Sequence, residues 1–166
     1  MDDHLKERPP GQRGEICIRG GANMKGSLKN AKATAETLKN GWLRTGDIGY
    51  RDAEGYFYVV DRKKDLINRG GENIYPREIE IILEAHPEIV AVAVIGVPDD
   101  ALGERVKAFL EISKGSSLTP DTEKAYLSDK LANYKIPEFI EIMDLIPRNP
   151  TGKILKTERR KHEQNT

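Results

Sequence analysis

Apolar and polar residues change rhythm several times along this chain, and each rhythm predicts an element. Residues 15–19, Glu-Ile-Cys-Ile-Arg, alternate as a short strand closed by Gly20 and Gly21. Residues 34–40 fit a short helix with Thr34 as N-cap, Glu36 in the first turn and Asn40-Gly41 as the stop. Residues 52–55, Asp-Ala-Glu-Gly, read as a hairpin turn between residues 47–50 and the aromatic and β-branched run 56–60. So few strands make a poor independent core, so residues 1–61 are expected to close a larger domain that begins upstream.

The second half has a clearer pattern. Residues 76–86 predict an amphipathic helix with Ile79, Ile82 and Leu83 on one face, stopped by Pro87. Residues 89–96 are apolar at every position and predict a strand covered on both faces, followed by a turn over 97–103. Residues 104–112 alternate, with Val106, Ala108, Leu110 and Ile112 on one side, which predicts an antiparallel neighbour. Thr119-Pro120 opens a helix carrying Tyr126, Leu127 and Leu131, and residues 139–143 predict a last strand. Helix, strand, strand, helix, strand is an α+β domain of helices on a short, mostly antiparallel sheet. The expected organisation is a mainly β segment over 1–61, a hinge and loop over 62–75, and an α+β domain over 76–166.

Composition narrows the functional classes. The 166 residues balance 27 Lys and Arg against 27 Asp and Glu, so no long-range field of one sign recruits nucleic acid. Any anion site must be local. One cysteine, Cys17, allows no internal disulfide or cysteine zinc cluster and suits the cytoplasm; on its strand it reads as packing. The acidic start Met1-Asp2-Asp3 lacks signal-peptide character, and no apolar run approaches the ~18 residues of a membrane span. His4, His86 and His162 are scattered, giving neither a metal site nor His-based nucleophilic machinery.

Three stretches carry candidate chemistry. Residues 60–76 set a dense run of charge beside Leu66 and Ile67, then Gly70-Gly71, then Pro76 at the start of a helix, which describes both a joint and a ligand-contacting loop. Thr45-Gly46-Asp47 puts a hydroxyl, a flexible residue and a carboxylate in a tight corner; that carboxylate can take the two hydroxyls of a ribose, although an ordinary Asx-type turn is the simpler reading. Residues 146–156 combine Pro147, Pro150 and Gly152 with Arg148, Lys153 and Lys156 in an exposed loop before a charged helix-like end. Lys153 there is either a solvated charge or a mobile cation for a phosphate or carboxylate; the P-loop pattern is absent.

Taken together and in order, residues 41–47 (Gly-Trp-Leu-Arg-Thr-Gly-Asp), 61–80 with Asp-Arg-Lys-Lys-Asp and Arg-Gly-Gly-Glu-Asn-Ile, and 147–153 (Pro-Arg-Asn-Pro-Thr-Gly-Lys) resemble the C-terminal portion of acyl-CoA synthetases, in the adenylate-forming superfamily with luciferases and peptide-synthetase adenylation domains. The resemblance implies an enzyme that activates a carboxylic acid, fatty-acid-like by its motif wording, with ATP and Mg²⁺ to an acyl-adenylate and passes the acyl group to coenzyme A. It implies that Asp47 and Arg62 hold the ribose of ATP or AMP, that Lys64 is the hinge, that Gly70, Gly71 and Glu72 line the pantetheine passage, and that Lys153 serves adenylation. It also implies a partner, the larger N-terminal domain of the same synthetase, without which this chain is expected to be inactive.

The sequence departs from the family at Asn73, where some relatives have a phosphate-contacting arginine, and over Ser27-Leu28-Lys29-Asn30-Ala31, where an aromatic residue and a proline are usual. Two other readings stand beside the first: an adenylation domain serving a carrier protein, and a stand-alone interaction module.

Overall fold

A computed structural model describes residues 1–164, and the backbone divides into two compact units, one of residues 1–64 and the other from Asp65 onward. No described helix is long and apolar enough to cross a membrane.

The first unit is built on one long strand. In chain order it contains β1 (Gly14–Ile18), α1 (Ala31–Thr37), β2 (Leu38–Lys39), β3 (Trp42–Arg51) and β4 (Phe57–Arg62). β1, β2 and β4 all pair antiparallel with β3. The Asp52–Gly55 turn forms as its residues predict: Asp52 Oδ1 accepts from the Tyr56 amide, and Gly55 takes a φ of 94°.

Local chemistry moves two predicted features. The helix starts three residues before the predicted span, because Asn30 rather than Thr34 is its N-cap, accepting from the Ala33 amide at 2.9 Å. Thr34 lies inside the helix, and its hydroxyl donates back to the Asn30 carbonyl. Asn40-Gly41 does not stop that helix; with φ values of 52° and 79° the pair is a two-residue turn joining β2 to β3.

The second unit contains β5 (Ile67–Arg69), β6 (Glu72–Ile74), α2 (Pro76–Glu84), β7 (Ile89–Asp99), β8 (Gly103–Ile112), α3 (Pro120–Ser128), β9 (Phe139–Met143) and α4 (Lys156–Gln164). Among the described residues its sheet is five-stranded, in the order β6-β5-β8-β7 with β9 also on β8; β8 and β9 are parallel and the other pairs antiparallel. The fold is α+β with a mostly antiparallel sheet. Residues 67–74, read from sequence as loop, are a hairpin belonging to this sheet. β7 continues through Pro98 to Asp99, so the turn before β8 is shorter than residues 97–103 predict.

Both faces of the sheet are covered. Val92, Val94, Val106, Ala108 and Leu110 share a core with Ile79 and Leu83 of α2 and Leu127 of α3. On the other face Ala91, Ala93, Ile95, Val97 and Phe109 pack with Ile146 and Ile154. The tail is therefore folded back rather than solvated, and the Arg159 guanidinium lies over the Phe109 ring at 5.4 Å. α3 is capped by Thr119 in a reciprocal box with Thr122.

Candidate functional site

The first unit positions Asp47 by a buried carboxylate that sequence reasoning missed. Glu15 on β1 is 6% exposed, accepts Nε and NH2 of Arg44, and takes the Gly46 amide at 3.2 Å. Burial alone would raise the Glu15 pKa, but hydrogen bonds from Arg44 and Lys63 and their charges hold it below the usual carboxylate value. Gly46, at φ 74°, lets β3 kink at this point, and Thr45 Oγ1 accepts the Asp47 amide while donating to the Ile16 carbonyl. Asp47 therefore sits within β3 at a local kink, where the strand's register against β1 shifts.

Arg62 of β4 is the register partner of Asp47, and its NH1 donates to Asp47 Oδ1 at 2.5 Å. The pair is half-exposed and offers a carboxylate held in one orientation. Lys63 begins a single 3-10 turn, Lys63–Asp65, and bonds Asp3 and Glu15. Lys64, in the middle of that turn, is exposed and is the last residue of the first unit. Cys17 is half-buried and its thiol is pushed up by burial and by Glu15, as expected of a packing residue.

In the second unit Gly70 and Gly71, at φ 59° and 89°, form the tip of the β5–β6 hairpin, with Glu72 beginning the return strand. All three are exposed, and a Cβ at Gly71 would meet no heavy atom within 4 Å. The hairpin is held from below. The Gly70 amide donates to Leu102 O, Asn68 N to Glu104 Oε2, and the Arg69 guanidinium to Glu138. Glu138 also accepts Arg105, and its pKa, which burial would raise, is kept low by the two guanidiniums.

Lys153 occupies a different loop. Asn149 Oδ1 accepts from the backbone amides of Thr151 and Lys153 and from the Thr151 hydroxyl, Gly152 takes a φ of 84°, and Arg148 bridges Ile154. This knot leaves Lys153 exposed at its surface. The loop is anchored where Glu111 Oε2 accepts the Ile146 amide at 3.0 Å and forms an ion pair with Arg148 NH1 at 3.0 Å, while that NH1 donates to the Ile146 carbonyl.

The glycine hairpin is anchored at Leu102 and Gly103, one end of β8, and the Lys153 loop at Glu111, near the other. At strand rise those anchors are about 27 Å apart. The structure therefore brings Asp47 and Arg62 together, and holds Lys153 and the Gly70–Gly71 tip apart on one body. No group of three or more His, Cys, Asp or Glu side chains is placed to hold a metal among the described residues; the side chain of His162 lies outside them.

Residues 78–153 match the family model of the AMP-binding enzyme C-terminal domain. The chain is 44% identical over 160 residues to a long-chain-fatty-acid–CoA ligase of Escherichia coli O6:H1, covering 96% of this chain and 28% of the relative. It is 48% identical over 153 residues to a feruloyl-CoA synthase of Amycolatopsis sp, covering 92% and 31%. To the fatty acid–[acyl-carrier-protein] ligase ScoC of Streptomyces coeruleorubidus it is 44% identical over 160 residues, covering 96% and 31%. The crystal structure of ATP-bound MatB from Rhodopseudomonas palustris matches 97% of this chain and 32% of that one, at 35% identity and a TM-score of 0.90. The chain thus spans less than a third of the length of these relatives.

Proposed function

We propose that this chain, whose residues 78–153 match the AMP-binding enzyme C-terminal domain and which is similar to the C-terminal part of acyl-CoA ligases, supplies the mobile portion of a synthetase that converts a carboxylic acid, ATP and coenzyme A to an acyl-CoA, AMP and pyrophosphate. The observation that supports this reading is the separation of two exposed loops anchored at opposite ends of β8, one cationic and one glycine-tipped. One body so built can present different groups to the same reacting centre in two successive steps.

In the first step a substrate carboxylate attacks the α-phosphorus of ATP, an acyl–phosphate bond forms, and the bond to pyrophosphate breaks. Two anions must meet, and the exposed ammonium of Lys153 is the group in this chain that can bridge them and offset the charge of the transition state. Asp47 accepts the ribose hydroxyls, with Arg62 fixing its orientation. In the second step the coenzyme A thiol attacks the acyl carbon and AMP leaves. The Gly70–Gly71 tip carries no side chain to obstruct a slim pantetheine arm. Lys64 is the hinge between the two presentations. Mg²⁺ travels with the nucleotide in this reading and is assigned to no residue here.

We assign a fatty acid as the substrate class and the cytoplasm as the compartment, with the larger ATP-binding domain as obligatory partner; the chain alone does not turn over. A carrier-protein acceptor is the second reading, favoured by the similarity to the carrier-protein ligase. The test joins this chain to the large N-terminal portion of the E. coli relative and measures ATP–pyrophosphate exchange with a fatty acid, then thioester formation. Exchange followed by acyl-CoA is the expected result. Absence of exchange overturns the reading, and acylation of a phosphopantetheinylated carrier in place of coenzyme A selects the second.

A further inference from the structure

The Lys153 loop is clamped at both ends by buried carboxylates that come from different elements. Glu111 of β8, 9% exposed, holds the start of the loop through the Ile146 amide and the Arg148 guanidinium. Glu80 of α2, 4% exposed, holds its end: Oε1 forms an ion pair with Lys156 Nζ at 2.6 Å while accepting the Val94 amide of β7 at 2.9 Å. Arg77 stands 3.8 Å from the other oxygen. Between these clamps the loop closes on itself through Leu155 N to Pro147 O at 2.9 Å.

A folded domain of this size has no need of two buried charges merely to park an exposed loop. Burying a carboxylate is costly unless it is paired and hydrogen-bonded, and an apolar pair of similar volume packs as well or better. What the charges add is direction. Each carboxylate ties its end of the loop to a rigid element, so the base from which the flexible lysine reaches is fixed to the sheet.

We infer that Glu111 and Glu80 are positioning residues for Lys153, acting through Arg148 and Lys156, and that they serve adenylation while leaving thioester formation alone. The inference rests on the role proposed for Lys153. It assigns the selectivity to geometry, since the glycine hairpin is supported separately by Glu138, Glu104 and Leu102 at the other end of β8.

The test uses the chain joined to the N-terminal portion of the E. coli relative, with Glu111→Gln, Lys156→Met and Lys156→Arg. ATP–pyrophosphate exchange is measured, and separately acyl transfer to coenzyme A from a supplied acyl-adenylate. For Glu111→Gln and Lys156→Met the kcat of exchange is expected to fall by roughly tenfold or more, because small misplacement of a reacting group is costly. KM for ATP and the rate of transfer stay within about twofold. Lys156→Arg, which keeps a cation against Glu80, restores exchange. Should Glu111→Gln fail to fold, the half-buried Lys156 carries the test. Equal loss of both half-reactions, or no loss of exchange, overturns the inference while the proposed function stands. Absence of exchange in the unsubstituted fusion overturns the function and this inference with it.

Discussion

Arg62 faces Asp47 directly across the β3–β4 ladder, and its guanidinium meets the Asp47 carboxylate at 2.5 Å. Both side chains are partly exposed, 48% and 28%, so the pair adds only about 0–1 kcal/mol to stability. Asp47→Ala in the fused synthetase is expected to leave the melting temperature nearly unchanged and to weaken AMP binding roughly tenfold or more, the worth of a charge-assisted hydrogen bond. Calorimetric titration with AMP measures this, and undiminished affinity would remove Asp47 from the ribose site.

Lys153 makes its expected contribution through charge and reach. Its side chain is exposed, so Lys153→Ala should melt with the parent chain. Pyrophosphate exchange in the fused enzyme should drop on the order of a hundredfold or more. Transfer from a supplied acyl-adenylate should persist.

At Gly71 the expected split runs the other way. Alanine meets no neighbour there but must adopt a φ of 89°, a strain of about 1–2 kcal/mol. Urea unfolding of the 166-residue chain reads that cost. Thioester formation in the fusion should slow while pyrophosphate exchange does not. Matched losses would place Gly71 outside the pantetheine passage.

Two buried acids give opposite pH dependences. Glu123 on α3 is 1% exposed and its Oε2 has no hydrogen-bond partner among the described residues; burial pushes its pKa above the usual 4.5, with His86 opposing and Glu88 adding. A raised folded-state value gives stability that is full below the unfolded pKa and lost as pH rises through the folded one. Glu123→Gln should therefore be more stable than the parent at neutral pH and equal to it in acid.

Glu15, whose pKa is held low by Arg44 and Lys63 against the opposing effect of burial, behaves inversely. Its stabilisation is present above its unfolded value and lost as pH falls through the folded one. Glu15→Gln should cost stability at neutral pH and little in acid. Thermal melts across the acid-to-neutral range decide both cases.

Elements with a sustained period could be read from sequence because burial enforces the period. The alternation of Val106, Ala108 and Leu110 and the stripe of Ile79 and Leu83 face one core, as their spacing predicts. Short elements could not. Asn30 and Thr34 are both cap-forming residues, and only the Ala33 amide bond selects between them. Asn40-Gly41 suits a helix end and a hairpin equally, and the two-residue strand before it is too short to show a rhythm. Gly70-Gly71 was visible as a turn, while its three-residue strands were not. Glu15, Glu80 and Glu111 carry no mark in sequence, since their burial depends on Arg44, Lys156 and Arg148 arriving from distant positions.

The length of β8 has a consequence for timing. Loops anchored about 27 Å apart along one strand are poorly placed to reach the same atom at once. If the proposed roles hold, a substrate that needs both would be visited in turn, and the order of events would follow from the size of the part rather than from the relative tightness of its grips. Shortening or slipping that strand would disturb the schedule before it disturbed either loop.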